Sequence, residues 1–281
     1  MALRSRRGRR RIAGLPVLVI VLAVLGAVMI MVPVFALASR TDWLRVPELI
    51  SQEAPLAALL LSLRVAVATT IFSVAFGVPL AMLLARTDFP GKPVMRAVIL
   101  LPMVMPPVVS GMALLTALGR RGVLGETLSG WGIEIAFTTV AVVVAHTFIA
   151  MPFLVLSVDG ALSTAGIGSE VAAATLGASP LRTFFTITLP QTAPAIGAGA
   201  LLSFARSLGE FGATLTFAGS LQGVTRTLPI EIYLTRQTNP DAAIALSMLL
   251  IAVALAVIVV VYSAGGTRYV RAATVPGRKG S

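Results

Sequence analysis

Long apolar stretches separated by shorter polar segments run through almost the whole chain. Six of these stretches have the roughly 20 residues that a helix needs to cross about 30 Å of hydrocarbon. They lie near residues 13–38, 65–85, 97–118, 135–156, 195–217 and 242–262. The pattern predicts an all-α, polytopic membrane protein of about six transmembrane helices, which together form one domain over residues 13–262.

The first apolar stretch has a second interpretation, as a secretory signal. An Arg-rich segment precedes it, and Ala36-Leu37-Ala38 has the A-x-A form of a cleavage site. The apolar core of a signal peptide is only about 7–15 residues long. Because the stretch here is longer than that, we expect a helix that stays in the protein as an anchor.

The charged residues predict the orientation. Of the 281 residues 57% are hydrophobic and 12% charged, yet the net charge is +11. A soluble domain carries about 25% charged residues, so the composition excludes soluble and disordered classes. With the N-terminus placed inside, the inner segments hold twice as many Lys and Arg residues as the outer ones, as the positive-inside rule requires. We therefore expect cytoplasmic tails at 1–12 and 263–281, and the net charge on the cytoplasmic face of the cell membrane.

Several kinds of chemistry are excluded by residue counts. The chain has no cysteine and a single histidine, His146, so disulfides, thiolate metal sites and two-histidine metal motifs are impossible. Its two lysines, Lys92 and Lys279, do not complete a phosphate-binding loop. We expect a chain that binds no cofactor and no nucleic acid and is not itself an enzyme. His146 lies in the fourth stretch, where a hydrogen-bonded packing role is more usual than a transport role.

The longest predicted cytoplasmic connection, residues 157–192, has the composition of two short helices. Ser169 is a suitable N-cap, and Glu170 would lie at the positive end of the helix that follows. Gly177 is a natural C-terminal stop, and Ser179-Pro180 is suited to begin a second helix. The pattern predicts a helix-turn-helix with a surface of small residues. From the residues alone, a partner-binding segment and an ordinary interfacial loop fit equally well.

A charged pair lies inside the fifth stretch. Arg206 is about 18 Å along that helix at 1.5 Å per residue, and Glu210 follows on the same helical face. Intramembrane charges are rare and are functional candidates. Gly209 and Gly212 flank the acid and would permit close approach by a neighbouring helix, or a bend. The pair could line or gate an anion path, or it could be a structural ion pair.

Three prolines interrupt the start of the third stretch. Pro102, Pro106 and Pro107 each lack a backbone donor and disrupt helical hydrogen bonding. In a membrane the freed carbonyl groups must be satisfied within protein or in a wet cavity. The prolines therefore predict irregular backbone at this point, which fits a packed kink and a gate equally well.

The cytoplasmic segment resembles the signature of the membrane subunits of bacterial ABC importers. The matching positions are Ala172, Ala173, Gly177, Ile187, Leu189 and Pro190. The family's usual glutamate falls on Val171, and Glu170 stands one place earlier. The resemblance implies that this segment, Glu170 included, is the coupling helix that docks into a groove on a separate ATP-hydrolysing subunit. ATP and Mg would then be held by that subunit.

A second resemblance concerns the substrate. The stretch from Phe204 to Thr214 is similar to that of sulfate- and molybdate-type permeases, and the continuation to Tyr233 looks most like the molybdate branch. Segments 86–92 and 101–109 also match, so the resemblance covers roughly residues 60–262. It implies a type I ABC-importer permease fold, a homodimer with one pathway, an external oxyanion-binding protein, and import of molybdate or tungstate.

Three alternatives remain. The nearest is a sulfate or thiosulfate permease with the same mechanism. The second is an ion-coupled secondary carrier that uses Arg206 and Glu210, and the third is a membrane scaffold without transport activity.

Overall fold

Helices account for all the regular structure that the protein shows between residues 16 and 272. The structure is a computed structural model that describes the backbone of these residues and the side chains of residues 16–259. The helices are α1 (Val17–Arg40), α2 (Val46–Ser51), α3 (Glu53–Arg86), α4 (Lys92–Leu100), α5 (Pro107–Leu118), α6 (Gly125–Gly130), α7 (Thr139–Ala165), α8 (Gly168–Thr175), α9 (Pro180–Thr183), α10 (Leu189–Leu208), α11 (Gly212–Ala218), α12 (Leu228–Thr238) and α13 (Pro240–Ala272). A 3-10 turn, Leu101–Met103, follows α4, and a π turn, Phe184–Thr188, joins α9 to α10. The prediction of an all-α protein is confirmed.

Four helices are individually long and apolar enough to cross a membrane, namely α1, α3, α7 and the 240–259 part of α13. The segments Lys92–Met103 and Pro107–Leu118 would form a fifth crossing if they are taken as one bent span. The count of six spans stays a prediction. The predicted tail 1–12 lies outside the described residues, as do residues 273–281 of the predicted tail 263–281, whereas α13 continues to Ala272.

The bend between those two segments lies where the prolines predict irregular backbone. The helix axes meet at 114°, and only three residues, 104–106, separate the 3-10 turn from α5. Pro106 and Pro107 stand at the N-cap and the first position of α5, where a missing amide costs no helical hydrogen bond. Pro102 is buried in the 3-10 turn. The prolines thus end one helix and begin the next.

Helix α7 is the centre of the bundle, and α3 runs parallel to it. Near their N-terminal ends, Leu61 and Val65 of α3 share one buried apolar cluster with Ala141 and Val142 of α7. Towards their C-terminal ends, a second cluster joins the two helices: Val78, Ala81 and Leu84 with Leu154, Val155, Val158 and Leu162. Because the two helices run in the same direction, the chain between them must return across the bundle. The bent α4–α5 segment makes that return.

Helix α10 packs against α7 in the opposite direction, through small and hydroxylated residues. Ser203 Oγ donates to the Ala150 carbonyl at 2.9 Å, and Ser157 Oγ donates to the Ala195 carbonyl at 2.9 Å. Between these contacts, a Cβ added at Gly199 would lie 3.0 Å from Leu154 Cα. Small residues let membrane helices approach closely, so this stripe sets the distance between α7 and α10.

The fifth apolar stretch, predicted as one helix near 195–217, is divided in the structure. Helix α10 ends at Leu208, and α11 begins at Gly212. The three residues between them, Gly209, Glu210 and Phe211, break the helix beside the intramembrane acid. The apolar pattern alone does not reveal the break, because both helices and the junction are rich in small and apolar residues.

Candidate functional site

The α8 helix begins two residues earlier than the sequence predicts, at Gly168 and not at Glu170. Its N-cap is Ile167, which makes no side-chain capping bond, so the prediction of Ser169 as N-cap is wrong. Ser169 instead lies within the first turn and accepts a hydrogen bond from Gln191 Nε2 at 3.3 Å. Glu170 does lie in the first turn, as predicted. A carboxylate there is favourable because it faces the unpaired amides of the helix N-terminus.

The turn after α8 has the geometry expected of its glycine. Gly177 has a φ of +79°, a value that non-glycine residues rarely adopt. The Ala178 amide donates to the Ala173 carbonyl and the Gly177 amide to the Ala174 carbonyl, both at 3.0 Å. These two bonds form the Schellman motif that ends many helices. Ser179 then caps α9 by accepting from the Arg182 amide at 3.4 Å, with Pro180 at the first helical position.

The motif positions of α8 do not all face outward. Ala172 is exposed, whereas Ala173 is only 8% exposed and packs against the chain itself. Leu176, which directly follows α8, is 88% exposed, and Val171 within α8 is 52% exposed. A partner that approaches α8 would therefore meet Val171, Ala172 and Leu176, while Ala173 supports the helix from beneath.

The remaining motif positions, Ile187, Leu189 and Pro190, lie where the π turn meets α10. Ile187 and Leu189 are half-buried and Pro190 is exposed. The Leu189 amide donates to the Phe184 carbonyl, five residues back, which is the defining bond of a π turn. Pro190 has no amide to donate, so a regular α-helical bond from this position is impossible. The π turn brings the buried Thr188 hydroxyl towards α8.

Glu170 does not extend towards a partner but bonds within the chain. Its Oε2 lies 2.9 Å from Arg86 Nε, and its Oε1 accepts from Arg86 Nη2 at 3.2 Å. The Thr188 hydroxyl donates to the same Oε1 at 2.8 Å. The carboxylate therefore joins α8 to the end of α3 and to the π turn, a role that local sequence pattern does not reveal.

The intramembrane pair forms, and it spans the break between α10 and α11. Arg206 Nη2 lies 2.6 Å from Glu210 Oε2. Glu210 Oε1 accepts a hydrogen bond from the Ala213 amide in the first turn of α11 at 3.0 Å. The Glu210 side chain is 1% exposed, and that of Arg206 is 29% exposed. One carboxylate thus neutralises the arginine and satisfies the start of the next helix.

The two glycines that flank Glu210 have different surroundings. A Cβ added at Gly212 would lie 2.8 Å from Pro107 Cβ, so this glycine permits α11 to touch the start of α5, as predicted. A Cβ at Gly111, on α5, would lie 2.9 Å from the Ala213 carbonyl oxygen and complete the same contact. Apart from its chain neighbours, no heavy atom lies within 4 Å of a Cβ built at Gly209. Of the two possibilities predicted for these glycines, Gly209 therefore shows the bend, since α10 ends there.

His146 binds both sides of the break. It lies on α7 and is 2% exposed. Its Nδ1 lies 2.7 Å from Ser207 Oγ on α10, and its Nε2 lies 2.8 Å from Thr214 Oγ1 on α11. The hydrogen-bonded packing role predicted from its position is the one that the structure shows. Among the residues that the structure describes, no group of three or more His, Cys, Asp or Glu side chains could hold a metal ion.

The comparison with known families decides the class of the protein. Residues 77–272 match the family described as the binding-protein-dependent transport system inner membrane component. The chain belongs to this family. The match includes Arg86, α8 and the Arg206–Glu210 pair.

The relatives of this inner membrane component include a molybdenum transport permease and a sulfate transport permease. The molybdenum transport system permease protein ModB of Mycobacterium tuberculosis is 54% identical over 236 residues, which cover 84% of this chain and 89% of the relative. The sulfate transport system permease protein CysT of Salmonella typhimurium is 34% identical over 218 residues, covering 77% and 79% of the two chains. The chain is thus a multi-pass transport subunit of the inner membrane and is not an enzyme.

The fold is also that of a solved importer. A chain from the crystal structure of a bacterial ABC transporter involved in the import of the acidic polysaccharide alginate superposes with a TM-score of 0.71. The superposition covers 89% of this inner membrane component and 95% of that chain, at 17% sequence identity. The prediction of an ABC-importer permease fold is confirmed.

Two residues that bind Glu170, Arg86 and Thr188, were not predicted from the sequence as members of this cluster. Arg86 lies inside segment 86–92, so its presence in a matching block was a signal, but its partner is 84 residues away. Thr188 lies between two motif positions, Ile187 and Leu189, at a position that the motif leaves unspecified. Contacts between residues so far apart cannot be predicted from helical periodicity.

Proposed function

We propose that the chain is the membrane-spanning subunit of an ATP-driven importer that carries molybdate across the cytoplasmic membrane. The observation that carries this proposal is the 54% identity to a molybdenum transport permease over 84% of the chain. The sulfate permease is a more distant relative, at 34% identity. Tungstate is a second substrate of the same tetrahedral shape and charge, and sulfate or thiosulfate is the alternative class.

The importer is assembled from several subunits. Two copies of this chain form one pathway at their interface, and two ATPase subunits bind the coupling segments on the cytoplasmic side. A separate oxyanion-binding protein delivers the anion to the outer loops. The family description as binding-protein-dependent supports the external partner, and the chain's lack of a phosphate-binding loop supports the separate ATPase. ATP and Mg belong to that ATPase, and this chain holds no cofactor.

Six crossings over residues 13–262 place both termini in the cytoplasm. The parallel packing of α3 and α7 and the antiparallel packing of α10 support this topology, because the chain must reverse between each pair. The excess of Lys and Arg residues in the inner segments, including tails 1–12 and 263–281, supports the orientation. The coupling segment 157–192, with α8 and α9, is then on the ATPase side.

Transport follows from movement passed to the spans. The ATPases grip Glu170-bearing α8 through its exposed face, around Ala172 and Leu176, and the turn at Gly177 fixes the angle of α9. Ala173, Ile187, Leu189 and Pro190 support that surface. Closure of the ATPases turns the spans outward to accept the anion, and ATP hydrolysis returns them inward.

Of the two roles considered for the Arg206 pair, the geometry favours the structural one. Because Glu210 neutralises Arg206 and also caps α11, the pair holds the break between the two halves of the fifth stretch. A pathway with few unpaired cations releases a divalent anion easily. Gly212 lets α11 rest on α5, and Gly209 ends α10. Specificity then lies mainly with the external binding protein.

Uptake by the reconstituted complex tests the proposal. The chain is purified together with the ATPase that co-purifies with it and is placed in vesicles, with ATP inside and with labelled molybdate and a molybdate-binding protein outside. We expect ATP-dependent uptake that excess tungstate reduces and excess sulfate does not. Effective competition by sulfate would overturn the substrate, and uptake by the chain alone under an ion gradient would overturn the mechanism.

A further inference from the structure

The Arg86 guanidinium is the meeting point of three helices at the cytoplasmic end of the bundle. Arg86 is in the last turn of α3, and its side chain is 15% exposed. Its Nη1 donates to the Leu162 carbonyl and its Nη2 to the Gly166 carbonyl, both at 2.9 Å. Its remaining contacts go to the Glu170 carboxylate on α8. The side chain therefore holds the end of α7 and the start of α8 at the same time.

Only an arginine can make this set of contacts at once. The guanidinium is planar, remains charged and presents five donors in a fixed arrangement, whereas a lysine ammonium is a point charge on a flexible stem. The carbonyls at the end of α7 lack helical partners of their own. By bonding to them and to Glu170, Arg86 fixes the direction in which α8 leaves α7.

The same carboxylate ties α8 to the fifth stretch. The Thr188 hydroxyl donates to Glu170 Oε1 at 2.8 Å, and Gln191 on α10 donates to Ser169 on α8 at 3.3 Å. Thus α8 is bonded directly to α3, the π turn and α10, and through Arg86 to the end of α7. Leu176, directly after α8, is 88% exposed. The N-terminal part of α8 is therefore bonded to the bundle, whereas the residue that follows its C-terminus is free to contact a partner.

We propose that Arg86 is the positioning residue that makes α8 move as one body with α3 and α7. Acting through Glu170, it converts a displacement of α8 by the ATPase into a displacement of the spans. The inference rests on the proposed function, since it requires an ATPase that binds α8. It assigns Glu170 an internal role and leaves contact with the ATPase to Val171, Ala172 and Leu176.

The number of molybdate ions imported per ATP hydrolysed tests this role. In the reconstituted complex we expect Arg86→Gln to lower that ratio at least about tenfold, the factor that corresponds to losing one charge-assisted hydrogen bond. The ATPase should still co-purify and hydrolyse ATP. A defect of folding or assembly alone would lower import and hydrolysis together and leave the ratio unchanged, and that result would overturn the proposal.

Arg96→Gln is the matched control. Arg96 also pairs with an acid near the C-terminal end of α7: its Nη2 lies 2.6 Å from Asp159 Oδ2. Among the described residues, its side chain forms no hydrogen bond or ion pair with α8. The substitution removes the same charge from the same face. We expect it to leave the ratio within about twofold of wild type, since it removes no bond to α8. An equal fall in Arg96→Gln and Arg86→Gln would overturn the proposal.

Two further variants keep the test decisive if Arg86→Gln does not assemble. Arg86→Lys should give an intermediate ratio, because the ammonium can still pair with Glu170 but cannot serve both carbonyls. Glu170→Gln should lower the ratio, and adding it to Arg86→Gln should cause no further loss, as expected for one shared interaction. If Glu170→Gln imported as many molybdate ions per ATP as the wild type, the proposal that Arg86 acts through Glu170 would be overturned. If the wild-type complex neither retained an ATPase nor imported molybdate, the proposed function itself would fail.

Discussion

The chain contains two Arg–Glu pairs that do different things. Arg86 and Glu170 are 84 residues apart and join the ends of separate helices, on the side of the bundle that we propose is cytoplasmic. Arg206 and Glu210 are one helical turn apart and span a break within one stretch of the bundle. Each glutamate also serves the first turn of a short helix, α8 or α11. The pair between distant segments therefore fixes helices relative to one another, whereas the local pair stabilises a break in the backbone.

Burial sets the cost of losing each pair. The Glu210 side chain is 1% exposed and lies at the predicted depth of the membrane. The Glu170 side chain is 21% exposed and lies on the predicted cytoplasmic side. Removing one partner of a buried pair leaves an uncompensated charge, which is more destabilising than removing both. We therefore expect substitution of Arg206 to lower the free energy of unfolding most. Substitution of Arg86 should most strongly lower the number of molybdate ions imported per ATP.

The largest effect on stability is expected for Arg206→Ala. It leaves the Glu210 carboxylate buried without its cation, at a cost of about 3–5 kcal/mol. The double variant Arg206→Ala/Glu210→Ala should recover part of that loss, although it gives up the cap of α11. Thermal unfolding and yield of the purified complex measure both. Equal loss of molybdate uptake in the single and double variants, with stability retained, would instead indicate contact with the anion.

Leu176→Asp is expected to weaken binding of the ATPase without disturbing either pair. An exposed apolar side chain at the centre of a docking surface contributes about 2 kcal/mol or more when it is lost. We expect the ATPase to be retained poorly on purification and uptake to fall with it. Val123→Asp, at a residue 80% exposed in the predicted outer loop, is the control and should retain the ATPase. Normal retention by Leu176→Asp would place the docking surface elsewhere.

The contact between α11 and α5 can be tested separately from the charges. Gly212→Ala places a methyl group 2.8 Å from Pro107 Cβ and should cost about 1–3 kcal/mol through overpacking. Gly209→Ala meets open space and should change stability by no more than about 0.5 kcal/mol. Thermal unfolding of the two variants side by side measures the difference. Equal stability would show that the break does not depend on this close approach.

Apart from the control Gly209→Ala, the smallest effect is expected for His146→Leu. The substitution removes the two hydrogen bonds that join α7 to Ser207 and Thr214. Each hydroxyl can turn towards a carbonyl of its own helix, so we expect a net loss of about 1 kcal/mol. Unfolding of the purified complex would show it. A loss as large as that of Arg206→Ala would mean that the histidine, and not the ion pair, holds the break.

Local features of the structure could be predicted, and features that depend on distant partners could not. The turn at Gly177, the cap at Ser179 and the break at Pro106 follow from backbone chemistry within a few residues. The Arg86–Glu170 pair could not be predicted because no local pattern relates residues so far apart. The division of the fifth stretch was missed because apolar periodicity continues across Gly209. The predicted start of α8 differs from the observed one by two residues, because Ser169 is a better capping residue than Ile167, which holds the N-cap position in the fold.

The π turn Phe184–Thr188 affects how α10, which follows it, is rotated about its own axis. A π turn accommodates one residue more than an α turn, and each residue rotates a helix by about 100°. If the same residues of Phe184–Thr188 wound as a regular α-helix, the extra residue would rotate α10 by about that angle. Ser203 and Ser207 would then point away from α7. The π turn therefore absorbs the extra residue and keeps the face of α10 that carries these two serines against α7.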